Sequence, residues 1–271
     1  MSRDTRAYAG VIRAPFPERE RAAKPRRRGL TMVIDKGLGL EQTGALLELA
    51  GEYIDFVKLG FGTAALYPER VLREKVALLR AHGVEPYPGA TFLEVAVLQG
   101  RLEEYLAASR ELGFRTVEVS DGTIELGPRA REQAIRAARA LGFTVITEVG
   151  KKDEARELDP VAARAQLEAD LAAGAAAVIL EGRESGKGVG VYDREGRLKL
   201  DLVERTVSGL PDPGVILWEA PLKAQQQELI ALFGPNVNLG NVAPDEVIAL
   251  EALRRGLRAD TLRLALAGRG R

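Results

Sequence analysis

Eight short apolar runs, each followed by a polar or glycine-bearing turn and then by a segment with helical spacing, constrain this chain more than any other feature. The runs are rich in Val and Ile and recur about every 30 residues. Strands that are this short and continuously apolar suit a parallel sheet that is buried on both faces. The runs lie at 30–35, 54–59, 84–87, 116–119, 144–149, 176–181, 215–219 and 237–239.

The segments between these runs begin and end with the residues that are typical of helix termini. Prolines at 68, 128, 160 and 244 stand where a first-turn proline is tolerated, and glycines follow the helix ends, where a C-terminal cap needs one. The predicted helices span 41–52, 68–82, 93–112, 128–141, 160–173, 223–233 and 244–255.

Eight alternating β and α units predict an α/β protein with a single (β/α)8 TIM barrel over 29–271, preceded by a basic lead-in at 1–28. Such barrels commonly need about 250 residues. A doubly wound sheet is the alternative, but it usually has fewer strands. The basic lead-in has two interpretations, an anion-binding arm or a solvated segment that covers the N-terminal face of the barrel.

The composition excludes several classes of protein. Acidic and basic residues both number 39, so nothing in the net charge indicates nucleic acid or an acidic membrane as partner. The chain has no cysteine, which excludes disulfides, thiolate metal sites and cysteine nucleophiles. No apolar stretch is long enough for a membrane span or a signal peptide. We therefore expect a cytoplasmic enzyme, and a homo-oligomer as the common state of such enzymes.

The carboxyl ends of the predicted strands are acidic, and the active sites of barrel enzymes form at those ends. If Glu148 and Glu181 point inward, period-two alternation puts Ile146 and Ile179 beneath them as apolar filling. Clustered carboxylates repel one another, so we expect lysines or a divalent cation nearby, and oxygen ligands favour Mg2+. Any one of these acids could instead cap a helix or pair with a surface Arg. The strand-end acids are Glu118, Glu148, Glu181 and Glu219, with Asp35 ending the first strand and Asp121 following the fourth.

Lysine is scarce and unevenly placed. The chain has nine lysines and thirty arginines, and six of the nine lie at or just after a predicted strand end. Arginine cannot replace lysine where a proton must be given up, because only the ammonium pKa can be tuned into a useful range. These positions therefore suggest anion binding and one general acid. The six are Lys36, Lys58, Lys151, Lys152, Lys187 and Lys223.

Glycine-rich turns follow several predicted strands. The segment 182–190 lacks the spacing of a P-loop, which argues against ATP, but it suits a loop that folds over an anionic substrate with Arg183 as donor. The turns 60–63 and 89–91 could present backbone N–H groups to an anion or be plain turns. His82, the only histidine, is expected on the opposite face, and we assign it no catalytic role.

Taken together, seven ordered motifs resemble the phosphosulfolactate synthase family. They are GLTMVIDKG at 29–37, FVKLGFGT at 56–63, PYPG at 86–89, EVSDG at 118–122, EVGKK at 148–152, EGRESG at 181–186 and WEAP at 218–221. The resemblance runs from about residue 24 to the last strand. Phe61 stands where the family has Trp, and Ala90 where it has Gly.

The resemblance implies a TIM barrel that adds sulfite to phosphoenolpyruvate with Mg2+, giving (2R)-2-phospho-3-sulfolactate, as in coenzyme M biosynthesis. For that reaction we assign Lys151 as the acid, from its place just beyond the fifth strand, and Lys36 and Lys58 as ligands of phosphate or sulfite. The assigned metal ligands are Glu118, Asp121 and Glu148, with Glu181 as a further candidate. Substrate contacts are assigned to Arg183, Ser185, Lys187, Gly62 and Thr63.

Two alternatives remain open from the sequence. One is another enolate-forming enzyme that uses phosphoenolpyruvate on the same barrel, because a fold does not determine its substrate. The other is a relative without catalytic activity, since plant members of the family are associated with heat stress. The occupied acidic and lysine positions favour an active enzyme.

Overall fold

The computed structural model describes residues 21–268, and its centre is one parallel sheet of eight strands curved into a barrel. Hydrogen-bonded neighbours follow the order β3-β2-β1-β8-β7-β6-β5-β4, and β3 and β4 come into contact at the seam. The predicted single (β/α)8 barrel is therefore confirmed. The strands are β1 Thr31–Asp35, β2 Phe56–Leu59, β3 Glu85–Pro88, β4 Thr116–Val119, β5 Thr144–Val149, β6 Ala177–Leu180, β7 Ile216–Glu219 and β8 Asn238–Val242.

Helices cover the outside of the sheet. The predicted single helix over 93–112 is wrong, because the chain turns between two helices where Gly100 adopts a φ of 67°. A helix at Leu200–Val207, in the long segment after β6, was also not predicted. The helices are α1 Leu40–Ala50, α2 Glu69–Ala81, α3 Ala90–Leu98, α4 Leu102–Glu111, α5 Pro128–Ala140, α6 Pro160–Ala173, α7 Leu200–Val207, α8 Lys223–Phe233, α9 Val247–Arg254 and α10 Ala259–Gly268.

The barrel interior separates into an apolar layer and a charged layer above it. Ile146 and Ile179 pack with Met32, Tyr87 and Leu217 in a buried cluster apart from the main core. Two residues further along β5 stands a buried Glu148, as the period-two alternation predicted. The interior is so tightly filled that a Cβ at Gly240 would lie 2.4 Å from Leu217 and 2.6 Å from Met32. This filled layer is the floor on which the charged groups stand.

The N-terminal face of the barrel carries the described part of the basic lead-in. Arg21 pairs with Glu251 at 3.0 Å, and Arg26 pairs with Asp55 at 3.0 Å. Lys24 donates to the carbonyl oxygen of Gly51 at 2.8 Å. Residues 1–20 of the lead-in lie outside the described residues. Within 21–268, no helix has the length and apolar character needed to cross a membrane.

Candidate active site

A cleft of about 270 Å3 opens at the carboxyl ends of the strands, above the apolar floor. Parallel strands in a closed barrel bring the ends of all eight strands to one face, so residues distant in sequence meet there. The lining includes main chain from the turns after β2 and β3. The side chains that matter for its chemistry are Lys58, Glu148, Lys152, Glu181, Arg183, Glu219 and Asn241.

Three carboxylates from adjacent strands converge in this cleft. Glu148 is the last but one residue of β5, Glu181 follows β6 and Glu219 ends β7. One oxygen from each lies within 4.8 Å of the others. All three side chains are buried. Glu219 Oε2 accepts the Gly182 N–H at 3.0 Å, and Glu181 Oε1 accepts the Arg183 N–H at 2.7 Å. The main chain after β6 therefore orients two of the three.

Lys58 stands beneath these carboxylates and is buried with them. Its Nζ donates to Glu118 at 2.9 Å, to Glu148 at 3.0 Å and to Glu219 at 3.1 Å. An ammonium has three donors, and all three are used here. Lys58 therefore acts as a fixed positive charge that holds carboxylates from β4, β5 and β7 in place.

Lys152 provides the second positive charge, from the loop after β5. Its Nζ lies 3.1 Å from Glu148 Oε1 and 3.6 Å from Glu181 Oε2, and its side chain is 27% exposed. Among the described residues, Glu181 Oε2 has no hydrogen-bond donor, and the same holds for the buried Oδ1 of Asn241. With Glu148 Oε1, which Lys152 meets as an ion pair, three oxygen acceptors of cleft-lining residues are left without a hydrogen-bonded partner among the described residues.

Four carboxyl groups and two lysines share this cluster, and the pKa values of three of the carboxyl groups and of both lysines are shifted. Burial raises the pKa of Glu118 and of Glu181 well above the ordinary value, since an ionised carboxylate loses its hydration. Burial acts the same way on Glu148, but Lys152 and Lys58 outweigh it and hold the pKa of Glu148 well below the ordinary value. Burial alone would lower the pKa of the two lysines, yet the carboxylates raise it above the ordinary value. Both ammonium groups therefore stay charged at neutral pH.

Similarity to known proteins agrees with the geometry of the cleft. A family model described as (2R)-phospho-3-sulfolactate synthase (ComA) matches residues 19–260. The chain belongs to the phosphosulfolactate synthase family. It is 46% identical to the phosphosulfolactate synthase of Methanothermobacter thermautotrophicus, over 89% of this chain and 94% of that one. Identity to the phosphosulfolactate synthase of Methanocaldococcus jannaschii is 45%, over 87% of this chain and 94% of that one. Relatives of this name at this level of identity make the protein an enzyme.

Solved structures resemble the chain in fold. The YdjI aldolase of Escherichia coli K12 superposes with a TM-score of 0.57, covering 89% of this chain and 90% of that one. The two sequences are 13% identical. At that identity the likeness supports the barrel architecture and says nothing about the substrate.

The predicted metal ligands of this phosphosulfolactate synthase family member do not all meet in one place. Glu148 and Glu181 meet in the cleft, while Glu118 lies deeper, on Lys58. Asp121 lies apart from them, because its two carboxylate oxygens pair with Arg131 at 2.8 Å and with Lys151 at 2.9 Å. Glu219 takes the third place in the cluster.

The predicted acid Lys151 also lies outside the lining of the cleft. Its Nζ is occupied by Asp121 and by the carbonyl oxygen of Ile124 at 3.0 Å. The neighbouring Lys152 faces the cleft instead. Adjacent residues diverge here because Asp121 and Ile124 hold the Lys151 ammonium, whereas the Lys152 ammonium pairs with Glu148.

Among the remaining predicted site residues, Arg183 lines the cleft and is half-buried. Lys36, Ser185 and Lys187 are exposed. Gly62 follows the lining residue Phe61, and the Thr63 hydroxyl is used locally, donating to the Gly60 carbonyl at 2.8 Å. The structure thus brings Lys58 and Arg183 to the cleft lining and keeps the other five off it.

Backbone strain concentrates at the same cleft. Over residues 21–268, three non-glycine residues have a left-handed backbone: Phe61 at φ 56°, Arg183 at φ 57° and Asn241 at φ 54°. All three line the cleft. Such conformations persist where the surrounding structure imposes them, and they are enriched at functional sites. The order of side-chain types in the sequence did not predict these left-handed conformations.

Sequence reasoning missed Glu219 and Lys152 as site residues, although both belonged to the patterns that it recognised. Glu219 is an acid near the end of an apolar run, as Glu148 is, and Lys152 is one of the six lysines near strand ends. The signal for Asn241 is weaker, since an Asn inside the last strand has no distinctive spacing.

Proposed function

We propose that the protein catalyses the Mg2+-dependent addition of sulfite to phosphoenolpyruvate, giving (2R)-2-phospho-3-sulfolactate, a carbon–sulfur lyase-class reaction. The observation that carries the proposal is the cluster of Glu148, Glu181 and Glu219 with Lys152 beside it, open to a small cleft. Family membership supports the choice of substrates. The cleft volume of about 270 Å3 suits small anions rather than a nucleotide.

The donor set fits Mg2+. Hard divalent cations bind oxygen ligands, and the cluster offers carboxylates alone. Four carboxyl groups face two ammonium groups in and beneath the cleft, and a divalent cation would favour the ionised form of those whose pKa burial raises. The buried Glu181 Oε2 supports this, because it has no hydrogen-bond donor among the described residues. Glu148, Glu181 and Glu219 would hold the ion, which, when bound, stabilises negative charge on the substrate carboxylate.

The protein's own groups account for the rest of the reaction. Sulfur of sulfite bonds to the methylene carbon, the double-bond electrons move toward the carboxylate, and the adjacent carbon then takes a proton. Lys152 holds a proton at Nζ beside Glu148 and is the group we assign as the acid, in place of Lys151. Arg183 lines the cleft as a donor to an anionic group. Lys58 keeps Glu148 and Glu219 in position from below.

The activity is tested by incubating the purified protein with sulfite, phosphoenolpyruvate and Mg2+ and following phosphorus by NMR. We expect phosphoenolpyruvate to be replaced by a secondary alkyl phosphate only when sulfite and Mg2+ are both present. Consumption without sulfite would indicate another enolate-forming reaction. No consumption under any of these conditions would refute the proposed function and favour a non-catalytic relative.

The acid is tested with two neighbouring lysines as a matched pair. A positioned acid contributes roughly 10²–10⁴ to the rate, so Lys152→Ala should lower kcat by about that factor. Lys151→Ala removes the same side chain from outside the cleft lining and should lower kcat much less. The reverse order would restore Lys151 as the acid. Circular dichroism of both variants checks that the fold is retained.

We also propose a cytoplasmic homo-oligomer, from the composition and from the usual state of such enzymes. Size-exclusion chromatography with light scattering measures the molar mass directly. A mass near 29.3 kDa, that of one chain, would refute the oligomer.

A further inference from the structure

The turn at 120–123, after β4, lies directly against Lys152. Lys152 N–H donates to the Gly122 carbonyl at 3.0 Å, which ties the loop after β5 to this turn. The Lys152 side chain then runs over the Gly122 Cα. A Cβ at Gly122 would lie 3.1 Å from Cε, 3.2 Å from Cγ and 3.3 Å from Cδ of Lys152. Because Gly122 has no side chain, the Lys152 side chain can pass over it on the way to the cleft.

The same turn is held rigidly from the α3 side by a buried carboxylate that has no place in the cleft. Glu94 Oε1 accepts the Ser120 hydroxyl at 2.6 Å, and Glu94 Oε2 accepts the Thr123 N–H at 3.1 Å. Both Glu94 and Ser120 are fully buried. A buried carboxylate is costly unless its oxygens are hydrogen-bonded, and here each oxygen bonds the turn.

The opposite side of the turn is anchored through Asp121. Arg131 on α5 donates to Asp121 Oδ1 at 2.8 Å and also forms a two-point pair with Asp170 on α6. A further donation, from Arg131 Nη2 to the Glu148 carbonyl at 2.8 Å, reaches the end of β5 itself. Lys151 completes the anchor on Asp121 Oδ2.

We infer that the turn 120–123 is a positioning platform for Lys152, and that Gly122 is the residue through which it acts. Each of its four residues is bonded: Ser120 and Asp121 through side chains, Gly122 and Thr123 through the main chain. A rigid turn sets the path of a flexible lysine side chain, which by itself has many rotamers. The inference rests on the proposed function, in which Lys152 is the acid and must therefore be held in a defined position.

Gly122→Ala tests this with little other disturbance. The φ of Gly122 lies outside the left-handed range, and the three atoms nearest to the new Cβ are Lys152 side-chain carbons. Because the turn is hydrogen-bonded on both sides, we expect the lysine to be the group that moves, by about a few tenths of an ångström. A misplacement of about 1 Å can cost on the order of 10²-fold in rate, so for this smaller shift we expect kcat to fall by roughly threefold to tenfold, with KM for phosphoenolpyruvate nearly unchanged.

Gly127→Ala is the matched control. Gly127 precedes α5 in the same loop, and a Cβ there meets nothing within 4 Å. Its kcat should equal that of the wild type. A loss in Gly127→Ala as large as in Gly122→Ala would show that any alanine in this loop is harmful and would overturn the inference.

A double-mutant cycle separates positioning from general structural damage. If Gly122 acts through Lys152, Gly122→Ala should have no further effect on the residual rate of Lys152→Ala. An undiminished effect in that background would refute the platform. Wild-type kcat in Gly122→Ala alone would refute it as well.

A chemical readout keeps the test independent of turnover. The rate at which Lys152 is acetylated, followed by mass spectrometry of peptides, should rise severalfold in Gly122→Ala and stay unchanged in Gly127→Ala. If no sulfite addition occurs but this difference is seen, the platform stands and the proposed reaction fails. Equal labelling in the wild type and in Gly122→Ala would refute the platform whatever the activity.

Discussion

Replacing Phe61 addresses the strained backbone at the mouth of the cleft. Phe61 adopts φ 56° and ψ 27°, a left-handed conformation that costs roughly 1–2 kcal/mol for a residue with a Cβ and almost nothing for glycine. The residue is 54% exposed, so removing the ring also loses some apolar burial. The useful quantity is therefore the difference between Phe61→Ala and Phe61→Gly, in which the loss of the ring cancels.

We expect Phe61→Gly to be more stable than Phe61→Ala by about 1 kcal/mol, because only glycine relieves the strain. For a chain of this size that difference corresponds to roughly 2–4 °C in Tm, which differential scanning calorimetry resolves. Both variants should lose activity to the same extent, since the lost ring lines the cleft in both. The two variants would then differ in stability but not in activity.

Leu66 supplies the comparison for this experiment. It is also an exposed apolar residue after β2, but its backbone is right-handed at φ −101° and ψ −13°. There glycine only adds freedom to the unfolded chain, so Leu66→Gly should be less stable than Leu66→Ala by roughly 0.5–1 kcal/mol. The order of Ala and Gly therefore reverses between the two positions. Finding Phe61→Gly no more stable than Phe61→Ala would refute the strain argument.

Three further outcomes are expected. Gly240→Ala forces a Cβ into the filled barrel floor and should destabilise the protein by about 1–3 kcal/mol in urea unfolding, and a smaller change would mean that the floor can repack. Mg2+ at about 100 times its Kd should stabilise the wild type by about 2.7 kcal/mol, and Glu219→Gln should lose most of the thermal shift at that concentration. If Mg2+ raised the Tm of the variant as much as that of the wild type, Glu219 would not be a metal ligand. Burial raises the pKa of Glu251, but the nearby Arg21 outweighs burial and lowers that pKa below the ordinary value. The ion pair of Arg21 and Glu251 therefore stabilises the fold above roughly pH 4.3, and this stabilisation is lost as the pH falls through the lowered pKa. The Tm difference between wild type and Glu251→Gln should therefore narrow between about pH 6 and pH 3, and a constant difference would contradict that sign.

The architecture was predictable because its signals are local. Eight apolar runs, helix-starting prolines such as Pro128 and Pro160, and glycines after helix ends each report on neighbouring residues. The exceptions were local conflicts. Gly100 interrupts an otherwise helical pattern between α3 and α4, and the periodicity around α7 is too short to stand out in a long loop.

The site was predictable only in part. Strand-end carboxylates and lysines were recognised as a class, and Glu148, Glu181, Lys58 and Arg183 reach the cleft lining as expected. Which members of the class meet depends on the barrel as a whole. Glu219 joins Glu148 because β6 and β7 follow β5 around the sheet.

By itself the sequence determined the barrel, its apolar floor and a charged rim, since period-two alternation and β/α order are properties of the chain. Tertiary structure alone decided between Lys151 and Lys152, which are adjacent and chemically identical. Asp121, held by Arg131 from α5, binds the first, while the second passes over Gly122 to Glu148. Beyond the end of a strand no periodicity directs a side chain, so its direction is set by contacts with residues far away in sequence.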